Sequence, residues 1–365
     1  MKEYNKKTVL ITGHTGFKGS WLCAWLNHLG ANIVGLSNDI VSTPSNYSAS
    51  KISNIINDQR IDIRDVDAIK SLVKDIQPDF VFHLAAQPLV RPAYENPLET
   101  MVTNAIGSAN VLEALKGLDK KVAVVMITSD KAYDNVEWVW GYRETDRLGG
   151  KDPYSASKGM AELAIRSYVD SFFYAPDSNI RVGIARAGNV IGGGDWAVDR
   201  IVPDCMEAWA IGKTVDIRSP HATRPWQHVL EPLSGYLCLA KSLYLDGKCH
   251  GEAYNFGPSS DQNYSVSTLI DEMSKYWDQI KWNDVSNNKT HVHEAGLLKL
   301  NCDKALFSLE WHSTLNFEET VKMTVEWYKF YYQNKNQSMY DFTINQIETY
   351  KETAKRSSIA WSCDD

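Results

Sequence analysis

The run Thr8-Val9-Leu10-Ile11-Thr12-Gly13-His14-Thr15-Gly16-Phe17-Lys18-Gly19 sets the architecture of the chain. Its first five residues read as a short buried strand, and its glycines as a tight turn. A helix is expected from Ser20 to about Leu29, with Trp21, Leu22, Trp25, Leu26 and Leu29 on one side. In a strand, Gly-rich turn and helix, backbone N–H groups can approach a pyrophosphate at the helix N-terminus. Gly13, His14, Thr15, Gly16, Phe17, Lys18 and Gly19 are therefore candidate dinucleotide-binding residues. The spacing is GxxGxxG, so the flanking strand and helix carry this reading more than the glycines do.

Asn32–Leu36 is a second strand, ending in Ser37-Asn38-Asp39. Asp39 lies 20 residues past Gly19 (39 − 19 = 20), where an acid can bond an adenosine ribose. No Arg stands at the strand end to accept a 2′-phosphate, which favours NAD over NADP. Residues 40–59 are Ser/Asn-rich and read as an irregular surface excursion. Asp62 and Ile63 are candidates for the adenine edge, before a helix that runs to about Ile76. Phe80-Val81-Phe82-His83-Leu84-Ala85-Ala86-Gln87 is a strand whose small end allows close approach of a ligand to Leu84, Ala85 and Ala86. His83 reads as a packed strand histidine. Pro97 begins a long helix to about Leu118 that carries Asn104, a further cofactor candidate. This alternation predicts an α/β fold, a doubly wound parallel sheet of the Rossmann type.

Lys121–Ile127 is an apolar strand that breaks into Thr128-Ser129-Asp130-Lys131. Pro153 then starts a helix on which Tyr154 and Lys158, four apart, share a face. Open α/β sheets bind ligands at the carboxyl ends of their strands. One pocket there could hold a hydroxyl, a carboxyl and two ammonium groups, a set suited to proton transfer. After the strand Asn179–Arg186 the alternation weakens. Arg200, Arg218 and Arg224 are candidate diphosphate partners. Ala253–Gly257 and helices near Val266–Trp277 and Phe317–Tyr332 are read into a smaller α/β substrate-binding lobe. The expected division is 1–186 for the dinucleotide domain, with later segments returning to it, 187–335 for the second lobe, and 336–365 for a polar tail, loosely held from Thr353.

The net charge of −7 and pI near 5.8 argue against nucleic acid as a partner. The six cysteines show no CxxC spacing and read as reduced thiols of a cytoplasmic protein. Met1–Lys7 is polar, unlike an ordinary signal peptide. No apolar stretch approaches the roughly 18 residues of a membrane span. No metal-ligand pattern is present.

Thr12–Gly19, His83-Leu84-Ala85-Ala86, Tyr154 with Lys158, and Arg186-Ala187-Gly188-Asn189-Val190-Ile191-Gly192 stand in family order, and the chain resembles the extended short-chain dehydrogenase/reductases. Within that family it is similar to the dehydratases of nucleotide-diphosphate hexoses. Gly-His-Thr-Gly-Phe-Lys-Gly, Thr-Ser-Asp-Lys and Ala222–Glu231 point to the CDP-hexose branch. The resemblance implies bound NAD, Tyr154 as hydroxyl base supported by Lys158, Asp130 as acid, Lys131 as base at C5, and Ser129 on the 4-oxygen. Lys131 replaces the Glu of dTDP-glucose-type relatives. Gln87, Asn189 and His228 join the three arginines as expected substrate ligands. Relatives pair as homodimers or homotetramers through the helices after Pro97 and Pro153. Two rivals stand beside this reading. The first is an NAD-dependent nucleotide-sugar 4-epimerase, which needs no Asp130/Lys131 pair, or a dehydratase acting on another nucleotide sugar; the second is a silent NAD-binding regulator, which needs neither Tyr154 nor Lys158.

Overall fold

Seven parallel strands form the central sheet of the computed structural model, which describes residues 1–175, 178–278, 280–286, 297–334 and 336–363. They are β1 (Thr8–Thr12), β2 (Asn32–Leu36), β3 (Asn57–Gln59), β4 (Phe80–His83), β5 (Val122–Ile127), β6 (Ile180–Arg186) and β7 (Ala253–Asn255). Their spatial order is β7-β6-β5-β4-β1-β2-β3. The order reverses between β1 and β4, which opens a crevice at their carboxyl ends.

The apolar strands split their side chains between two cores. Val9, Ile11, Phe80, Phe82, Ala123 and Val125 enter one; Leu10, Val81, Val122, Val124 and Met126 enter the other. Both faces of the sheet are covered, so the strands read as continuous apolar runs. The longer helices are α1 (Phe17–His28), α2 (Val66–Ile76), α3 (Gly107–Leu115), α4 (Pro153–Tyr168), α5 (Ile201–Ala210), α6 (Leu230–Leu245), α7 (Val266–Met273), α8 (Phe317–Gln333) and α9 (Met339–Arg356). Pro97–Met101 and a π-turn at Val102–Ile106 lead into α3. Asp65 and Asp152 cap α2 and α4 by accepting the N–H groups of Ala68 and Ser155. No helix of the described residues is long and apolar enough to cross a membrane.

Several expectations are corrected. α1 begins at Phe17, because Gly16 is its N-cap, so Phe17, Lys18 and Gly19 form its first turn. Ala253–Asn255 is no part of a separate lobe, since it pairs with Ile184–Arg186 as edge strand β7. Residues 40–59 are not wholly irregular. Tyr47 and Ile52 are buried, Ser45 caps a short helix, and Asn57–Gln59 extends the sheet as β3. Its polar composition hid this, because Asp58 is satisfied by His14, Tyr47 and Arg60 rather than by water.

The C-terminal segment is docked, not loose. α9 buries Thr343, Ile347, Tyr350 and Ala354, a helical repeat, and packs against α1. Trp361 stacks on Tyr350 at 5.7 Å. Asp364 and Asp365, the end of the expected tail, lie outside the described residues. Glu231 of α6 holds this corner together. It is 1% exposed and accepts Thr314 N–H (2.9 Å), Leu315 N–H (2.6 Å) and the Tyr350 hydroxyl (2.8 Å).

Burial pushes the Glu231 carboxyl from 4.5 up to about 7, against the pull of those three donors. A carboxyl raised in the folded state favours folding below its unfolded value near 4.5, and that contribution is lost as pH rises through about 7. Glu231→Gln turns one acceptor into a donor facing donors. It is expected to cost about 1–3 kcal/mol of unfolding free energy and to flatten this part of the pH dependence. Urea unfolding of both proteins on either side of that range measures both effects; an unchanged midpoint would mean that the corner is not held by this carboxyl.

Candidate active site

A cleft of ≈ 1110 Å³ opens over the carboxyl ends of β1, β4 and β5. Its floor is the turn between β1 and α1. Gly13 has φ +74°, and a Cβ there would lie 2.7 Å from Ala85 N. Only glycine allows this turn to lie against the end of β4. Phe17, Lys18 and Gly19 then face the cleft with the N–H groups of the first turn of α1, which carries no acidic residue, and Gly16, whose own N–H donates to Gly13 O (3.1 Å), lines it beside them. Such a turn can cradle a diphosphate. Thr15 joins it and is pinned by its hydroxyl to Ser37 Oγ (2.9 Å) and Asp39 O (2.7 Å). Leu84, Ala85, Ala86, Asp62 and Ile63 line the same side. The donors, the small floor and the apolar wall fit a dinucleotide.

Three cofactor candidates sit elsewhere. His14 is buried with its Nε2 2.9 Å from Asp58 Oδ1, packed over Gly35 and away from the cleft. Asp39 does not line the cleft, because its carboxylate turns back to accept Ile40 N–H (2.7 Å); Ser37 and Asn38 line it instead. Asn104 lies behind the wall, clamping Gln87 through its N–H (2.7 Å) and carbonyl (3.1 Å). His83 is a packed strand histidine, bridging Thr12 (2.8 Å) and Ser108 (2.9 Å). Burial holds it neutral, down to about 3.

β5 delivers the reactive group. It ends at Ile127, and Ser129 caps the turn Asp130–Ala132 by accepting Lys131 N–H (3.2 Å). Ser129 Oγ donates to Asp130 Oδ1 (2.9 Å). Gly188 makes room for that carboxyl, since a Cβ there would collide with it. Tyr154 and Lys158 on α4 face the same cleft, so all five expected catalytic residues meet in it. Burial pushes the Tyr154 phenol up to about 12, with Ser129 pulling the other way. Burial lowers the Lys158 ammonium to about 8, and Glu162 opposes this. Lys18 falls to about 8 as well, through burial and the neighbouring cations Arg200 and Lys158. Lys131 is only half-buried.

The segments after β6 line the cleft with Asn189, Arg200, Arg218 and Arg224, and Gln87 lines it as well. Arg200 pairs with Asp195 (2.7 Å) and Arg218 with Asp199 (3.4 Å), while Arg224 donates to Thr223 O (2.9 Å). His228 does not line the cleft, being buried edge-on against Trp21.

The sequence reading passed over the buried pair Glu162–Arg186. Glu162 continues the Tyr154/Lys158 face by four residues, a spacing that was available. Arg186 donates to Glu162 through Nε (2.7 Å) and to the Tyr133 hydroxyl (2.6 Å); Thr128 Oγ1 donates to Glu162 (2.6 Å). Trp196 and Trp226, which line the cleft, were also missed.

Comparison with known proteins follows this geometry. Residues 10–324 match the family described as GDP-mannose 4,6 dehydratase. The chain is 46% identical over 327 residues to a CDP-glucose 4,6-dehydratase of Salmonella typhimurium, covering 88% of this chain and 90% of that protein. It is 24% identical over 351 residues to a dTDP-glucose 4,6-dehydratase of Haemophilus influenzae, covering 88% and 98%. Among solved structures, UDP-glucuronic acid 4-epimerase from Bacillus cereus, in complex with UDP-glucuronic acid and NAD, aligns with a TM-score of 0.74 at 22% identity, covering 88% and 99%. With its cradle, its Tyr154/Lys158 pair and a family match across most of its length, the chain belongs to the GDP-mannose 4,6 dehydratase family.

Proposed function

We propose that the protein dehydrates a nucleotide-diphosphate hexose with bound NAD, converting CDP-D-glucose to CDP-4-dehydro-6-deoxy-D-glucose and water. The observation that carries this is the Asp130/Lys131 pair, set directly after a buried strand in the cleft that holds Tyr154 and Lys158. Oxidation alone needs only the Tyr and Lys. Elimination of water needs an acid and a base besides.

Tyr154 takes the proton of the 4-hydroxyl, and the charge on Lys158 favours the phenolate that does so. Ser129 bonds the 4-oxygen. NAD, when bound, accepts the hydride from C4 and returns it to C6. The 4-ketone acidifies C5–H; Lys131 removes that proton and gives it back to C5 as the hydride reaches C6. Asp130 gives its proton to the C6 oxygen, which leaves as water. The cradle at Gly13 and Gly16–Gly19 holds the cofactor diphosphate, and Arg200, Arg218 and Arg224 hold that of the substrate. The free cysteines fit a cytoplasmic site.

A second copy of the chain is the proposed partner. Leu98 (77% exposed), Val102, Ile106, Met160 and Leu163 leave an apolar face on the helices after Pro97 and Pro153. Light scattering is expected to give at least a dimer; a strict monomer would refute the pairing.

Incubation with CDP-glucose should produce the alkaline ultraviolet band of a 4-keto sugar. Absence of the band with CDP-galactose formed instead would make the protein an epimerase. Tyr154→Phe is expected to lower kcat by about 10²–10⁴-fold, and full turnover in that variant would remove Tyr154 as the base. Asp130→Asn should stop after the first hydride transfer, leaving a standing NADH absorbance; a variant with neither turnover nor that absorbance would contradict the order of steps.

A further inference from the structure

Asp130 borders two cavities. It is 4% exposed and lines the main cleft. It also lines a second cavity of ≈ 10 Å³, with Gly188, Gln227, Pro258 and Leu300 in its wall. A single water needs roughly 10–15 Å³ on this measure. The rim reaches solvent at Ser259 and Ser260, both exposed.

Gln227, which lines this cavity, carries a buried acceptor without a donor. The residue is 2% exposed, and its Nε2 donates to Gly188 O (2.9 Å) and Phe256 O (3.0 Å). Both partners are carbonyls, so a flipped amide would set oxygen against oxygen. Oε1 is thereby fixed as the remaining atom, buried and unpartnered among the described residues. The backbone is fixed too, because Gln227–His228 pairs with Val190–Ile191. Buried acceptors of this kind are normally satisfied by protein or ordered water. On the other wall, Asp130 Oδ1 takes the Ser129 hydroxyl, while Oδ2 lies over Gly188, whose missing side chain opens the space.

We propose that the cavity is a built site for one water molecule, held by Gln227 Oε1 and the Asp130 carboxyl, and that this water reloads Asp130 with a proton between turnovers. The inference rests on the reading of Asp130 as the acid. Each turnover moves one proton from Asp130 to the leaving oxygen and one from the 4-hydroxyl to Tyr154. The carboxylate must regain its proton, and the sugar nucleotide fills the cleft side. The water gives one proton to Asp130 and takes one from solvent at the Ser259/Ser260 rim. Tyr154 returns its proton to solvent as the cleft empties, so the exchange sums to zero. Gln227 is a positioning residue, acting through the water.

A crystal structure of the NAD-bound protein should contain an ordered water within hydrogen-bond distance of both Gln227 Oε1 and Asp130. Gln227→Leu keeps the volume and removes the acceptor, together with the donations to Gly188 O and Phe256 O. On mixing with CDP-glucose, its first burst of NADH absorbance should match the wild type while kcat falls about tenfold or more, within the usual range for a proton-transfer step. Added formate or imidazole should restore kcat by carrying the proton. No water at that place, or an unchanged kcat in Gln227→Leu, overturns the proposal. Equal loss of burst and kcat without rescue also overturns it, since that is a merely structural role. A wild-type protein that makes no 4-keto sugar would instead sink the underlying reading of Asp130.

Discussion

The buried ion pair between Glu162 and Arg186 is the constraint on which the site depends. Glu162 lies one turn beyond Lys158 on α4, and Arg186 ends β6. Through this pair and its neighbours, α4 is tied to the end of β5 by Thr128 and to the chain after the reactive turn by Tyr133. Tyr133 in turn donates to Asn255 of β7 (2.8 Å). Four elements that share no local sequence are thus fixed against each other around Tyr154, Lys158, Ser129 and Asp130. A buried pair of this kind contributes little net stability, but loss of one partner typically costs about 3–5 kcal/mol, because the other charge is stranded. What the pair adds is position. The carboxylate of Glu162 also keeps Lys158 from losing its charge entirely to burial.

Burial is the second organising effect, and it works on each group with its own sign. It lowers ammonium groups and raises phenols. In one cleft this brings Lys158 and Lys18 down to about 8 and Tyr154 up to about 12. A phenol that high is a poor base at neutral pH. In the proposed role of base, Tyr154 relies on positive charge beside it, from Lys158 and from the cofactor ring, to offset burial.

The parts of the molecule legible in the sequence are those specified by local rules. β1 and β5 are apolar runs with sharp ends, and the glycines mark the turn after β1. Asp152-Pro153 announces α4, and the spacing of Tyr154 and Lys158 follows from helical geometry. The unreadable parts depend on partners far away in the chain. Asp58 looks like a loop acid until His14 and Tyr47 are seen to bond it. Tyr350 sits in a polar helix whose meaning lies in Glu231, more than a hundred residues earlier. Asp39 shows the limit of counting: it stands at the right distance from Gly19, yet its carboxylate accepts Ile40 N–H and does not line the cleft. Asn104 and His228 are polar residues near the site in sequence logic but behind its walls in space.

Substrate capture poses a final electrostatic question, since the chain carries a net charge of −7 and its ligand is an anion. The answer is local. Lys18, Arg200, Arg218 and Arg224 all line the cleft, and the long-range field of the protein is screened beyond about 8–10 Å at ordinary ionic strength. Two of these arginines are engaged by acids of the same lobe, Arg200 by Asp195 and Arg218 by Asp199. The Arg218 pair is solvent-exposed and worth little, about 0–1 kcal/mol. A diphosphate offering bidentate, charge-assisted bonds can displace Asp199 from Arg218 at small cost. Arg200 is held more firmly, with Asp195 buried beside it and raising the guanidinium further. Arg200 thus keeps one fixed cation at the cleft wall, while Arg218, in the proposed reading, is the arm that exchanges an internal carboxylate for the phosphate of the incoming sugar nucleotide.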